Sequence, residues 1–297
     1  MTKTKRFGKA EKVRRRTGHL NRTAGNRAFV YGVVIFFALF MVLPVIYTIS
    51  SAFKPLEELW IFPPRFLVSN PTTKNFSDLV KIMNNSYVPL GRYILNTVII
   101  AVTGTAGHVL IASMCAYAFS KHRFIGRDFF FNLVVLTLMF NAAVTQIPNF
   151  IIISRLGWID TYLPYIIPAF AMPIGLYLMK QFIDQMIPDS LLEAAKIDGA
   201  GEMTIIVRIV MPNVKPAWVT LVILCFQTLW GTGGNVYIYD EALKTFNYAL
   251  SQILAGGIAR AGVGAAAAVI MLVVPSLMFL LSQSQVLETM STSGMKE

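Results

Sequence analysis

Pro188-Asp189-Ser190-Leu191-Leu192-Glu193-Ala194-Ala195-Lys196-Ile197-Asp198-Gly199-Ala200 is a polar island between two hydrophobic segments, and its reading decides the rest of the chain. Ser190 followed three residues later by Glu193 is a capping-box pattern, which predicts a short helix beginning at Leu191. Gly199 ends that helix, because glycine enters the left-handed conformation without steric penalty, and a sharp turn follows at Asp198-Gly199. A second helix is predicted over 201–210, with Pro212 as its stop. Two short helices joined by a glycine turn make a compact knob, and the small side chains of Ala194, Ala195 and Ala200 let a partner approach closely. On pattern alone a second reading stands beside it: an amphipathic loop in which Glu193 only caps its helix.

The flanks of this island are apolar. The 297 residues are 55% hydrophobic and 14% charged, with mean hydropathy +0.60, which predicts an all-α integral membrane protein. Cys115 and Cys225 both lie in apolar stretches, where a thiol behaves as a small hydrophobe, and no disulfide framework is read. The net charge of +11 is unevenly placed: ten of the 26 Lys and Arg residues precede Ala28, against the single acid Glu11. Such a cluster beside a first apolar span marks a cytoplasmic flank, so no nucleic-acid partner is expected. The tail 1–27 is expected to be disordered or to lie loosely on anionic lipid headgroups.

Six spans are predicted, at 28–53, 93–119, 129–153, 162–182, 217–230 and 262–281. The first is about twice the length of a secretory hydrophobic region, so it is read as a retained span, kinked at Pro44. Pro164, Pro168 and Pro173 predict a bent or broken fourth span. Between the first two spans, the soluble segment 54–92 carries Trp60-Ile61-Phe62, which either anchors at the headgroups or packs on a partner subunit. A long outer loop, 231–261, includes a stretch, 248–257, apolar enough to dip back towards the membrane, and the alanine run 265–268 marks close helix packing. With both ends cytoplasmic, 18 of the 26 basic residues fall on inner segments and 8 on outer ones, as the positive-inside rule requires.

No phosphate-cradling loop, H-E-x-x-H, G-x-S-x-G or clustered Cys/His pattern is present, so no catalytic residue and no metal site is read. Polar groups inside the spans are few. Asn96, Asn141, Gln146 and Asn149 are the candidate solute-pathway residues, since an amide offers a polyhydroxylated solute both donors and acceptors. Hydrogen bonding between helices is the competing reading for each of them. His108 stands without an intramembrane carboxylate, and Asp and Glu are absent from all six predicted spans. That weighs against an ion-coupled secondary transporter, which stays as an alternative together with a non-transporting membrane scaffold.

Glu193-Ala194-Ala195, then Gly199 after three further residues, then Ile209-Val210-Met211-Pro212 after nine more, resembles the EAA signature of the membrane subunits of ATP-binding-cassette importers. With Asp198 and Ala200 it is similar to the carbohydrate-uptake form, as in the smaller membrane subunit of the maltose transporter. Met211 replaces the family's usual leucine, a swap that conserves volume and apolarity. The resemblance implies a type I importer permease fold of six transmembrane helices with both termini cytoplasmic. The permease domain is then 28–284, with coupling loop 183–216 and outer loop 231–261, between the tails 1–27 and 285–297. It implies a multi-pass protein of the plasma or inner membrane that takes in a sugar. The implied partners are a second homologous permease subunit, two cytoplasmic ATPase subunits and an extracytoplasmic solute-binding protein. ATP and magnesium would be bound by the ATPase subunits, and no cofactor by this chain. Glu193, Ala194, Ala195, Asp198, Gly199 and Ala200, with Ile209 and Pro212, would form the ATPase-coupling interface. Gly233, Gly234, Asn235 and Tyr237 would meet the binding protein, and the tail around Thr289, Ser291, Ser293 and Gly294 would touch the ATPases.

Overall fold

The computed structural model describes residues 24–84, 87–140 and 142–293, and among them all regular structure is helical. Two units are separable, one within Met1–Ile46 and the other Tyr47–Glu297. The first is most of helix α1 (Ala24–Ala52), which continues through Pro44 and exposes apolar side chains around its whole circumference. A helix apolar on every face suits lipid or the helices of another subunit.

The second unit is assembled on α4 (Leu90–Lys121), whose 32 residues span about 48 Å at 1.5 Å per residue. Alongside it pack α7 (Leu163–Phe170), α8 (Pro173–Met186) and α12 (Lys215–Trp230), and α14 (Ala261–Ser293) packs in turn on α12. Many of the contacts of α4 are made by small residues. Ala101, Ala112 and Ala116 are buried, and Gly104 and Gly107 lie so near Leu229 and Phe170 that a Cβ has no room. In lipid, helices gain nothing from leaving water, so close backbone approach of this kind supplies the packing attraction. Ala266 and Ala267, within the predicted alanine run, are fully buried on α14 for the same reason.

Among the described residues, four helices are long and apolar enough to cross a membrane: Ala28–Ala52, Leu90–Lys121, Leu163–Met186 and Ile258–Ser284. A fifth crossing is available if Glu202–Asn213 and Lys215–Trp230, bent by 84°, count as one. The predicted third span is not continuous. It consists of α5 (Arg127–Thr137) and α6 (Ala142–Arg155), of 11 and 14 residues. The helix tightens where it breaks: Leu138, Met139 and Phe140 donate to the carbonyls three residues back, and Thr137 Oγ1 bonds the Val134 carbonyl at 2.6 Å. The three prolines of the fourth span place its break at Ala171–Met172, between α7 and α8.

Segment 54–92 holds α2 (Leu56–Leu59) and α3 (Lys74–Asn84), with Trp60 and Phe62 exposed. In the outer loop, Thr245 caps α13 (Phe246–Leu254), accepting from the Tyr248 amide at 3.5 Å. The apolar character of 248–257 is largely that helix, and its buried face (Phe246, Ala249, Ile253) is occupied by protein: Leu79, Tyr93 and Val263 among others.

Candidate functional site

The knob begins at α9 (Asp189–Ile197), two residues before its predicted start. Its N-cap is Pro188, and Ser190 forms no capping bond. Proline fixes the entry angle here and needs no donor of its own, so the Ser190-Glu193 capping box is not used. Asp189 in the first turn and Lys196 in the last each complement the helix dipole. The C-terminus closes as a Schellman motif: the Gly199 amide donates to the Lys196 carbonyl and the Ala200 amide to that of Ala195, both at 3.0 Å. Gly199 has φ +80°, the left-handed turn the sequence called for.

The second half of the knob departs from a plain helix. After α10 (Glu202–Ile205), residues Ile206–Val210 form a π turn, with the Met211 amide donating to the Ile206 carbonyl, and α11 (Met211–Asn213) follows. Pro212 therefore lies inside the helical run rather than stopping it. An α-helix would press the Pro212 ring onto the carbonyl of Arg208, and widening the preceding turn relieves that clash. The chain then bends at Val214 into α12.

Leu192, Ala195, Ile205, Val210 and Val214 bury the knob's base against Tyr117, Met179, Ile183 and Ile187. Polar ties surround it. Lys121 Nζ meets Asp189 at 2.7 Å and the Ile187 carbonyl at 2.6 Å, and the Asp189 carboxyl is held below its ordinary range by that lysine. Glu202 collects Lys196 at 2.8 Å, the Tyr117 hydroxyl at 2.8 Å and His122 at 3.5 Å; the first two bonds lower its pKa, more than burial raises it.

Of the predicted coupling residues, Glu193, Ala194, Asp198, Gly199 and Pro212 are exposed, Ala200 and Ile209 half-buried, and Ala195 buried in the base. Three apolar side chains escaped the sequence reading: Ile197, Met203 and Val207 are 86%, 61% and 62% exposed. Their signal was present, since Met203 and Val207 share one face at i, i+4 while Ile205 and Val210 occupy another. The result is a buried base, a charged collar and an apolar tip.

At the other end of α4 the candidate pathway residues separate. Asn96 is fully buried: its amide donates to the Ala242 and Lys244 carbonyls at 2.9 and 2.8 Å, and its oxygen accepts from the Tyr162 hydroxyl at 2.7 Å. It ties the outer loop to α4, the interhelical reading. Gln146 and Asn149 are exposed together on α6, and Asn141 lies outside the described residues.

The outer loop is clasped by Asp160. Its φ is +58°, its amide donates to the Tyr237 carbonyl at 3.0 Å, and its carboxylate accepts from the Tyr239 and Asp240 amides at 2.5 and 2.9 Å. Those backbone donors, that of Asp240 foremost, hold its carboxyl below the ordinary value. Of the four loop residues, Asn235 is exposed, Gly233 half-buried, and Gly234 a buried left-handed turn at φ +70° against Thr245. Tyr237 packs between Phe150 and Tyr165, with ring centroids at 6.1 and 5.5 Å. Its neighbour Tyr239, 57% exposed, is more freely offered. Among the described residues no group of His, Cys, Asp or Glu is arranged to hold a metal ion.

Long apolar helices and a compact knob with a buried base describe a membrane subunit. The profile of the binding-protein-dependent transport system inner membrane component matches residues 108–288, more than half the chain, and the protein belongs to that family, whose members are transport permeases. The polygalacturonan/rhamnogalacturonan transport system permease protein of Bacillus subtilis is 33% identical over 234 residues, covering 77% of this chain and 79% of that one. The sn-glycerol-3-phosphate transport system permease protein of Yersinia pestis is 32% identical over 221 residues, covering 72% and 76%. Among solved structures, a bacterial ABC transporter involved in the import of the acidic polysaccharide alginate superposes with a TM-score of 0.74 over 88% of this chain and 98% of that one, at 24% identity. That likeness shows a shared fold.

Proposed function

We propose that the chain is one half of the translocation pathway of an ATP-driven importer that takes up a saccharide. In this reading it crosses the membrane six times with both ends in the cytoplasm, α5 and α6 making the third crossing. It pairs with a second permease subunit through the exposed faces of α1, α5 and α6. The knob carries the proposal: its buried base fixes a small apolar tip that fits a cleft in an ATPase subunit, so closure of two such subunits pulls on α4, α8 and α12 together. Glu193, Asp198 and Gly199 line that contact with Ile197, Met203 and Val207. ATP and magnesium stay with the ATPase subunits. Asn235 and Tyr239 face an extracytoplasmic binding protein, and Gln146 and Asn149 offer amides to the solute. The saccharide solute rests on the relative of the polygalacturonan/rhamnogalacturonan transport system.

Affinity purification of the tagged protein from its native membrane, with mass spectrometry of the chains that accompany it, tests this. An ATPase and a second permease are expected. Recovery of this chain alone under extraction that preserves known complexes would sink the proposal.

A further inference from the structure

A cavity of about 380 Å³ opens at the end of α4 remote from the knob, between α3, the start of α4, α13 and the 3-10 turn Ile258–Arg260. That volume lies in the range of small-ligand sites. Its floor is apolar, with Met83 and Ile253 buried in the core below it. Its walls carry Tyr87, Glu241, Gln252 and Arg260.

The charges are unequally engaged. Glu241 is satisfied by Lys244 at 3.0 Å and by the Tyr93 hydroxyl at 2.6 Å. Arg260 is exposed and has no ion-pair partner among the described residues. Its stem lies across Gly256 at a distance that no Cβ on that residue would allow. With Glu241 cancelled by Lys244, the wall keeps one uncompensated positive charge, on a fork that matches a carboxylate. Tyr87, its side chain almost wholly exposed, stands at the mouth, and Gln252 adds both a donor and an acceptor.

We infer that this cavity binds one acidic sugar residue of the solute, a uronate whose carboxylate pairs with Arg260 while its ring lies against Tyr87 and its hydroxyls meet Gln252. The inference rests on the importer reading and narrows its solute to acidic saccharides. A concave site with an amide and an apolar floor suits a sugar ring better than the flat surface a docking protein needs. The single uncompensated charge sets the preference for an anion.

The test uses the full-length chain in lipid nanodiscs, with trigalacturonate as probe and its fully methyl-esterified form as the uncharged control. Trigalacturonate should bind at least about tenfold more tightly than the ester, and Arg260→Gln should remove that difference. Arg260→Lys, which keeps the charge but loses the fork, should fall between the two, and Gly256→Leu should weaken binding by displacing the guanidinium. Equal binding of acid and ester, no binding by the unaltered chain, or unchanged binding by Arg260→Gln overturns the inference. So does a result in which Arg260→Gln loses only capture of the binding protein, since the guanidinium then serves docking. Recovery of the ATPase is measured on the same preparations. Its absence from the unaltered chain counts against the importer reading, separately from the saccharide result.

Discussion

Gly199 holds φ +80° in the turn that separates the two halves of the knob. Alanine there costs about 1 kcal/mol of left-handed strain, which lowers the unfolding temperature slightly and leaves the turn intact. Proline cannot adopt the conformation, its φ being fixed near −65°. Gly199→Pro is therefore expected to abolish uptake while membrane levels stay normal, as read by transport assay and immunoblot of the membrane fraction. Asp160 belongs to the same scale. Asp160→Ala removes the carboxylate oxygen that accepts from both the Tyr239 and Asp240 amides, and their hydrogen exchange should accelerate by about tenfold. Because the native carboxyl is depressed below its unfolded value, the clasp's contribution is complete above the ordinary carboxylate range and is lost only as pH falls through the lowered value. Exchange at these amides should thus be insensitive to pH changes near neutrality once the intrinsic rate is removed, and should rise in acid. A residue's type was legible in the sequence where its partners were not. Asn96 stood out as an amide inside an apolar span, but the carbonyls it ties are 146 and 148 positions away, and no local pattern carries that distance.

For the elements, composition located four of the six predicted spans as single long apolar segments, at 28–53, 93–119, 162–182 and 262–281, because twenty apolar residues have few alternatives in a membrane protein. Element ends were harder. Ser190-Glu193 had the letters of a capping box, yet Pro188 set the helix start. The π turn at Ile206–Val210 follows from a proline two residues beyond it, an effect that helix propensity does not contain. The knob's stability is a matter of packing. Leu192 sits in its buried base, so Leu192→Ala should cost about 2–4 kcal/mol locally and lower the knob's thermal midpoint. Glu202→Gln should do far less, about 1 kcal/mol at most, because its pairs are half exposed to water. A larger effect of Glu202→Gln than of Leu192→Ala on knob protection, measured by hydrogen exchange, would show that the collar and not the base holds it.

For the whole molecule, the proposed orientation rests on where basic residues fall, and it is checkable without a partner. Tyr87→Cys, at the cavity, and Ile197→Cys, at the knob, are both exposed positions on opposite ends of the structure. A membrane-impermeant maleimide should label the first in intact cells or spheroplasts and the second only after permeabilisation. The reverse pattern would invert the topology. The twenty-residue signature made the family legible, whereas the acidic-sugar cavity was not, since its walls come from segments on either side of α4 in sequence that meet only after folding.

Helix α4 joins these scales. At one end Tyr93, Asn96 and Thr97 rivet it to the outer loop, and at the other Tyr117 and Lys121 rivet it to the knob. Between the rivets it has no proline and no break. Such a rod acts as a lever arm: a tilt of about 10° over its length of about 48 Å sweeps one end through about 8 Å relative to the other. In the proposed assembly, a stroke delivered at the knob would reach the far cavity as displacement of α4 as a whole.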